Sequence, residues 1–93
     1  MCRVYRSTEP RRYKCTTRSI LLEGYVTSIR LENEFWDILE LLAADQGRTA
    51  PQFISRLYNE RVEDYGEVRN HTSMLRVACV VYLQNQTSLQ LAI

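Results

Sequence analysis

The sequence predicts a small, mostly α domain with a short β ribbon at its front. Two stretches, residues 17–22 and 25–31, are rich in Thr, Ile, Val, Leu and Tyr and are separated only by Glu23-Gly24. A two-residue link ending in Gly is a hairpin signal, because Gly accepts the positive φ that a tight turn needs. After Leu31 the apolar spacing changes to the helical period, in three successive stretches bounded by capping or breaking residues. A chain of 93 residues has room for one such domain, so residues 1–93 are read as a single unit.

In the hairpin Leu22 faces Tyr25, Ile20 faces Thr27 and Ser19 faces Ser28. One face then carries Ile20, Leu22, Tyr25, Thr27, Ile29 and Leu31, the expected core face, and the other carries Ser19, Leu21, Val26, Ser28 and Arg30. A first helix is expected over residues 33–46, where Phe35, Ile38, Leu39, Leu42 and Ala43 repeat at helical spacing. Asn33 is its expected N-cap, Gly47 its C′ residue and Trp36 a core side chain. A second helix is expected over 50–64. Thr49-Ala50-Pro51-Gln52 fits a capping box with Pro51 in the first turn, and Phe53, Ile54, Leu57, Tyr58 and Val62 form the apolar stripe up to a stop at Gly66. After a short loop over 67–70, a third helix over 72–84 is expected to bury Met74, Val77, Ala78, Val81 and Tyr82. Residues 1–16 read as a basic arm, 17–31 as the ribbon and 85–93 as a loosely held tail.

Hydrophobic residues make up 45% and charged residues 25%, a globular composition that excludes a fully disordered chain. The longest apolar run, residues 77–83, is far short of the roughly 20 residues that span a bilayer. The first six residues hold no apolar core, so neither a membrane helix nor a secretory signal is expected. Cys2, Cys15 and Cys79 are odd in number and widely spaced, which argues for a reducing, cytoplasmic compartment and against a disulfide framework or, with His71, a zinc site. Cys79 is expected to be buried and the other two exposed. In such a compartment the glycosylation patterns at Asn70 and Asn85 are chance matches. The net charge of +1 conceals an asymmetry: residues 1–30 carry seven bases and two acids, residues 31–93 five bases and nine acids. A basic front and an acidic back suit a protein that turns one face to a polyanion.

A strand followed by two helices around a Gly-containing turn has a known counterpart. Residues 25–62 resemble the ribbon-helix-helix fold of Arc-like repressors, through Thr27-Ser28-Ile29-Arg30-Leu31, then Phe35 through Ala43, then Gly47-Arg48-Thr49 ahead of Phe53, Ile54 and Leu57. More specifically, the chain resembles a bacterial family described only by its ribbon-helix-helix domain. The segments that carry this likeness are Thr17-Arg18-Ser19, Thr27 to Glu32, Glu34-Phe35-Trp36 and Thr72-Ser73-Met74-Leu75-Arg76-Val77, within residues 2–84.

The resemblance implies an obligate homodimer in which the strand pairs with its copy and four helices interlock beneath. It adds an N-terminal β-hairpin extension and an extra C-terminal helix to that fold. It implies double-stranded DNA as a partner, read in the major groove by the outward residues Val26, Ser28 and Arg30. The start of the second helix, at Arg48 and Thr49, would meet a phosphate. The arm residues Arg3, Arg6, Arg11, Arg12 and Lys14 either track phosphates or fold over the ribbon. Simpler readings stand beside these: Arg30 pairs with Glu32, and Thr49 is a plain cap. Two hairpins side by side are also about 15 Å wide at ~4.8 Å per strand, against a groove of ~12 Å.

No enzyme is expected. Gly24, Gly47 and Gly66 are too far apart for a phosphate loop, and His71 has no nucleophilic partner and reads as a cap-region surface residue. Glu60, Glu63 and Asp64 read as a solvated helix face. No cofactor, metal or membrane contact is expected. Two functions remain: a dimeric DNA-binding transcriptional regulator, nucleoid-associated in that case, or an antitoxin-like protein-interaction module that uses the apolar Leu21/Val26 surface or the third helix.

Overall fold

The structure, a computed structural model, describes residues 6–92, with side chains described as far as residue 86. The chain runs through a short helix α1 (Pro10–Tyr13), strands β1 (Cys15–Leu22) and β2 (Tyr25–Glu32), and helices α2 (Asn33–Asp45), α3 (Ala50–Tyr65) and α4 (His71–Ala92). The two strands form an antiparallel ribbon in the expected register, with Leu22 opposite Tyr25, Ile20 opposite Thr27 and Ser19 opposite Ser28. At its tip Glu23 and Gly24 both take positive φ, 50° and 84°. This is the backbone pattern that matches the right-handed twist of two strands, and Gly adopts it without a Cβ penalty.

Alternation along the ribbon sorts its side chains as expected, with one exception. Ile20, Leu22, Ile29 and Leu31 are buried, whereas Tyr25 on the same face is 78% exposed. Tyr25 lies at the hairpin tip, past the last helical side chain that could cover it. Beneath the ribbon α2 contributes Trp36, Ile38, Leu39, Leu42 and Ala43, and α3 contributes Ala50, Phe53 and Ile54. Thr49 closes the capping box at the start of α3, its hydroxyl accepting from the Gln52 amide (3.3 Å) while Gln52 accepts from the Thr49 amide (3.0 Å). The start of α2 differs from expectation. Glu32 is its N-cap residue and makes no side-chain cap bond. The Asn33 side chain is occupied elsewhere, accepting from the Thr16 hydroxyl and donating to the Arg11 carbonyl.

The third long helix departs most from the sequence reading. Its backbone continues through residues 85–92, expected as a tail, while residue 93 lies outside the described residues. Asn70 caps it by accepting from the Ser73 amide (3.0 Å). His71 opens it half-buried, its ring 5.4 Å from that of Tyr58. Leu75 and Cys79, one turn apart, are fully buried, Met74, Ala78 and Tyr82 are half-buried at the margin of the core, and Val77 and Val81 are 60% and 45% exposed. The helix is therefore rotated from the expected face. The Cys79 thiol donates to the Phe35 carbonyl (3.7 Å) and burial raises its pKa to about 11. Arg76, beside Leu75, grips Glu32 at the end of β2 (2.8 Å). Periodicity alone could not separate these faces, because the run 77–83 is apolar on every side.

With α4 in place the core closes within one chain. Leu31, Leu39, Ala43, Ala50, Ile54, Leu75 and Cys79 are all 0% exposed. α4 packs against α2 and β2, while Leu57 of α3 borders an open, largely apolar groove with Val77 and Val81 of α4.

Candidate nucleic-acid interface

The outer face of the ribbon is a ladder of opposed pairs: Leu21 with Val26, Ser19 with Ser28, Thr17 with Arg30. Val26, Ser28 and Arg30 are all exposed and share one accessible face, as alternation requires. The apolar rung lies next to the turn, the hydroxyl rungs follow, and the guanidinium is at the far end. Leu21 and Val26, 60% and 72% exposed, form an apolar step beside the polar ones.

Arg30 makes no ion pair among the described residues. Its simplest partner, Glu32, gives both carboxylate oxygens to Arg76 at 2.8 Å. The Glu32 carboxyl is held below its ordinary pKa first by its own backbone amide and then by Arg76, with a smaller contribution from Arg30. The fold thus commits Glu32 to α4 and leaves the Arg30 donors open.

The basic arm behaves differently. Arg11 forms a two-pronged contact with Asp37 (2.9 and 3.3 Å) and Arg12 another with Glu34 (2.7 and 2.8 Å). These guanidinium contacts hold both carboxyls below their ordinary pKa. Behind them Arg18 reaches Glu40 (2.8 Å) and lies 4.6 Å over the Trp36 ring. The Trp36 indole donates to the Thr16 carbonyl (2.8 Å) and the Asn33 amide to the Lys14 carbonyl (2.8 Å). Residues 10–14 of the arm therefore lie along α2 and not over the outer ribbon face. Arg6 and Lys14 are exposed, and Arg3 lies outside the described residues, as does Cys2. No sequence signal pairs Arg11 with Asp37 or Arg12 with Glu34, since these residues are brought together only when the hairpin folds back over α2.

Arg48 and Thr49 sit at the entrance to α3. The Arg48 guanidinium lies 3.4 Å from the Gln46 side-chain oxygen, while the Thr49 hydroxyl is engaged in the cap. No group of three or more His, Cys, Asp or Glu side chains among the described residues is arranged to hold a metal ion. No helix among them is long and apolar enough to cross a membrane.

A ribbon with an open polar face, laid over two helices, defines a class, and the chain belongs to it: the ribbon-helix-helix domain family model matches residues 15–83. Among solved structures, an uncharacterized protein from Bordetella pertussis Tohama I is similar, with 44% sequence identity and a TM-score of 0.91 over 95% of this chain and 70% of that one. No curated protein matches the sequence.

Proposed function

We propose that the protein is a DNA-binding transcriptional regulator that acts as a homodimer and reads the major groove of double-stranded DNA with the outer face of its ribbon. The observation that carries this reading is the ladder Thr17/Arg30, Ser19/Ser28, Leu21/Val26, with Arg30 exposed and free of any ion pair among the described residues. A guanidinium there can donate twice to a guanine edge, a serine hydroxyl can donate or accept, and a valine can meet a thymine methyl. Arg48, at the start of α3 where the Gln52 amide is already taken by the Thr49 hydroxyl, supplies a phosphate contact beside the ribbon.

Two folded chains would add their ribbons edge to edge. Such a four-stranded sheet is about 15 Å wide across strand axes, so sheet twist must carry the outer strands away from a groove ~12 Å wide. The apolar rung Leu21/Val26 favours a second reading, a protein-interaction module on the same scaffold.

Fluorescence anisotropy against pooled genomic duplexes, titrated with salt, separates the two. A groove reader binds selected sequences at least ~10³-fold above random DNA. Arg30→Ala then weakens the selected complex by about 1–3 kcal/mol. Sequence-blind, weak binding that ignores Arg30→Ala would assign the ribbon to a protein partner instead.

A further inference from the structure

We infer that α2 holds the basic arm as a detachable strap, and that DNA phosphates take over Arg11 and Arg12 from Asp37 and Glu34 when a duplex seats on the ribbon. The inference rests on the DNA-binding reading above and extends it to the arm.

Four observations carry it. The helix α1 that presents Arg11 and Arg12 is four residues long and buries none of its side chains; besides the ion pairs, the Asn33 side-chain bond to the Arg11 carbonyl (2.9 Å) must open with it. Its ion pairs are open to solvent, with side-chain exposures of 61% and 50% for Arg11–Asp37 and 49% and 35% for Arg12–Glu34. Pairs this exposed contribute little and exchange readily with other anions. A guanidinium meets carboxylate and phosphate with the same planar, two-pronged geometry, so a phosphate can take each guanidinium over from its carboxylate. Finally, the arm joins β1 at the end of the ribbon where Thr17 faces Arg30.

The flanking residues Glu9 and Lys14 are both extended, with ψ of 132° and 145°. Residues 10–13 between them are helical, so opening the strap unwinds this single turn, and the extended arm then carries Arg11 about 10 Å beyond Lys14, enough to meet the phosphates on the lip of a groove ~12 Å wide. Thr16, Trp36 and Arg18 form a second, inner set of contacts, and they keep β1 in place when the strap opens. Asp37 and Glu34 thus act as resident stand-ins for phosphate. They neutralise the arm while no duplex is present and set a threshold that a bound duplex must exceed.

The test is a salt-titrated anisotropy measurement on a duplex selected by the full chain. It compares the parent with Arg11→Ala/Arg12→Ala, Glu34→Gln/Asp37→Asn and Arg30→Ala. Removing the two arginines should make the log K against log salt slope shallower by about 1.8, at about 0.9 per phosphate. Neutralising the two acids should keep the parent slope and tighten binding by roughly three- to tenfold, the effect of releasing two exposed pairs. Asp37→Asn alone gives the same sign at smaller size should the double variant not fold. A slope that ignores Arg11→Ala/Arg12→Ala, or an affinity that ignores both acid variants, overturns the strap. If Arg30→Ala still weakens binding in that case, the ribbon reading survives alone. If no protein binds any duplex, both fall together.

Discussion

Trp36 is 1% exposed and works in three ways: its indole donates to the Thr16 carbonyl, its face receives the Arg18 guanidinium, and its body fills the core under the ribbon. Replacement by Ala should destabilise the fold by about 3–5 kcal/mol, the usual cost of emptying a large aromatic site. Replacement by Phe keeps most of the buried area but leaves the Thr16 carbonyl without its donor, and should cost about 1–2 kcal/mol. Urea unfolding of the two variants checks the order, and equal losses would mean that the indole bond contributes nothing. Trp36 is legible in the sequence as a core aromatic. Its hydrogen bond is not, since the acceptor is a carbonyl twenty residues earlier. Asn33 shows the converse: its capping propensity is genuine, but two partners from the arm and the ribbon outcompete the helix end.

Among the elements, α4 depends most on tertiary context. It is docked by Leu75 and Cys79 in the core and by the Arg76–Glu32 pair at the end of β2. That pair is 39% and 26% exposed, so Arg76→Ala should cost about 1 kcal/mol. The loss should vanish in a Glu32→Gln background, as a double-mutant cycle would report. The pH dependence has a definite sign. Glu32, Glu34 and Asp37 are each held below their ordinary pKa in the folded chain, Glu32 by its own amide and Arg76, Glu34 by Arg12 and Asp37 by Arg11. Their contribution is fully present above the ordinary carboxylate range and is lost as the pH falls through the lowered folded values. Thermal melts should therefore be flat from about pH 5 to about pH 8, beyond which ionisation of Cys79 and Tyr82, both raised in pKa in the folded chain, favours the unfolded one. They should fall on acidification below about pH 5, less steeply in Arg76→Ala than in the parent. Equal slopes would remove the pair as a source of acid sensitivity.

For the whole molecule, the decisive feature is a core completed by one chain. Seven core residues at 0% exposure give the chain a core of its own, while Leu57, Val77 and Val81 border an apolar groove that stays open. A dimer would then assemble from folded chains through the ribbon edges and surface that remains apolar away from the outer face, such as Val77 and Val81 on α4. The urea midpoint should accordingly stay constant over a roughly hundredfold range of protein concentration, even where sedimentation shows dimers at micromolar levels. A midpoint that rises with concentration would restore coupled folding and dimerisation. The fold shapes the electrostatics too: Arg11, Arg12 and Arg18 of the basic front pair with the acidic helix that follows, while Arg30 is presented on the ribbon's outer face.

Local physics settles a large part of this fold, and that part can be read from the residues directly. The turn at Glu23-Gly24, the register it imposes, the two-faced ribbon, the capping box at Thr49 and the order strand, helix, helix all follow from backbone preference and from the periods of two and 3.6 residues. Three features were settled in space instead: which face of α4 is buried, where the arm goes, and which of two nearby arginines Glu32 holds. The physical reason is the same in each case. The apolar run of α4 offers several equivalent faces, and carboxylates choose among arginines by distance in space, which for Arg76 and Glu32 spans 44 residues of chain.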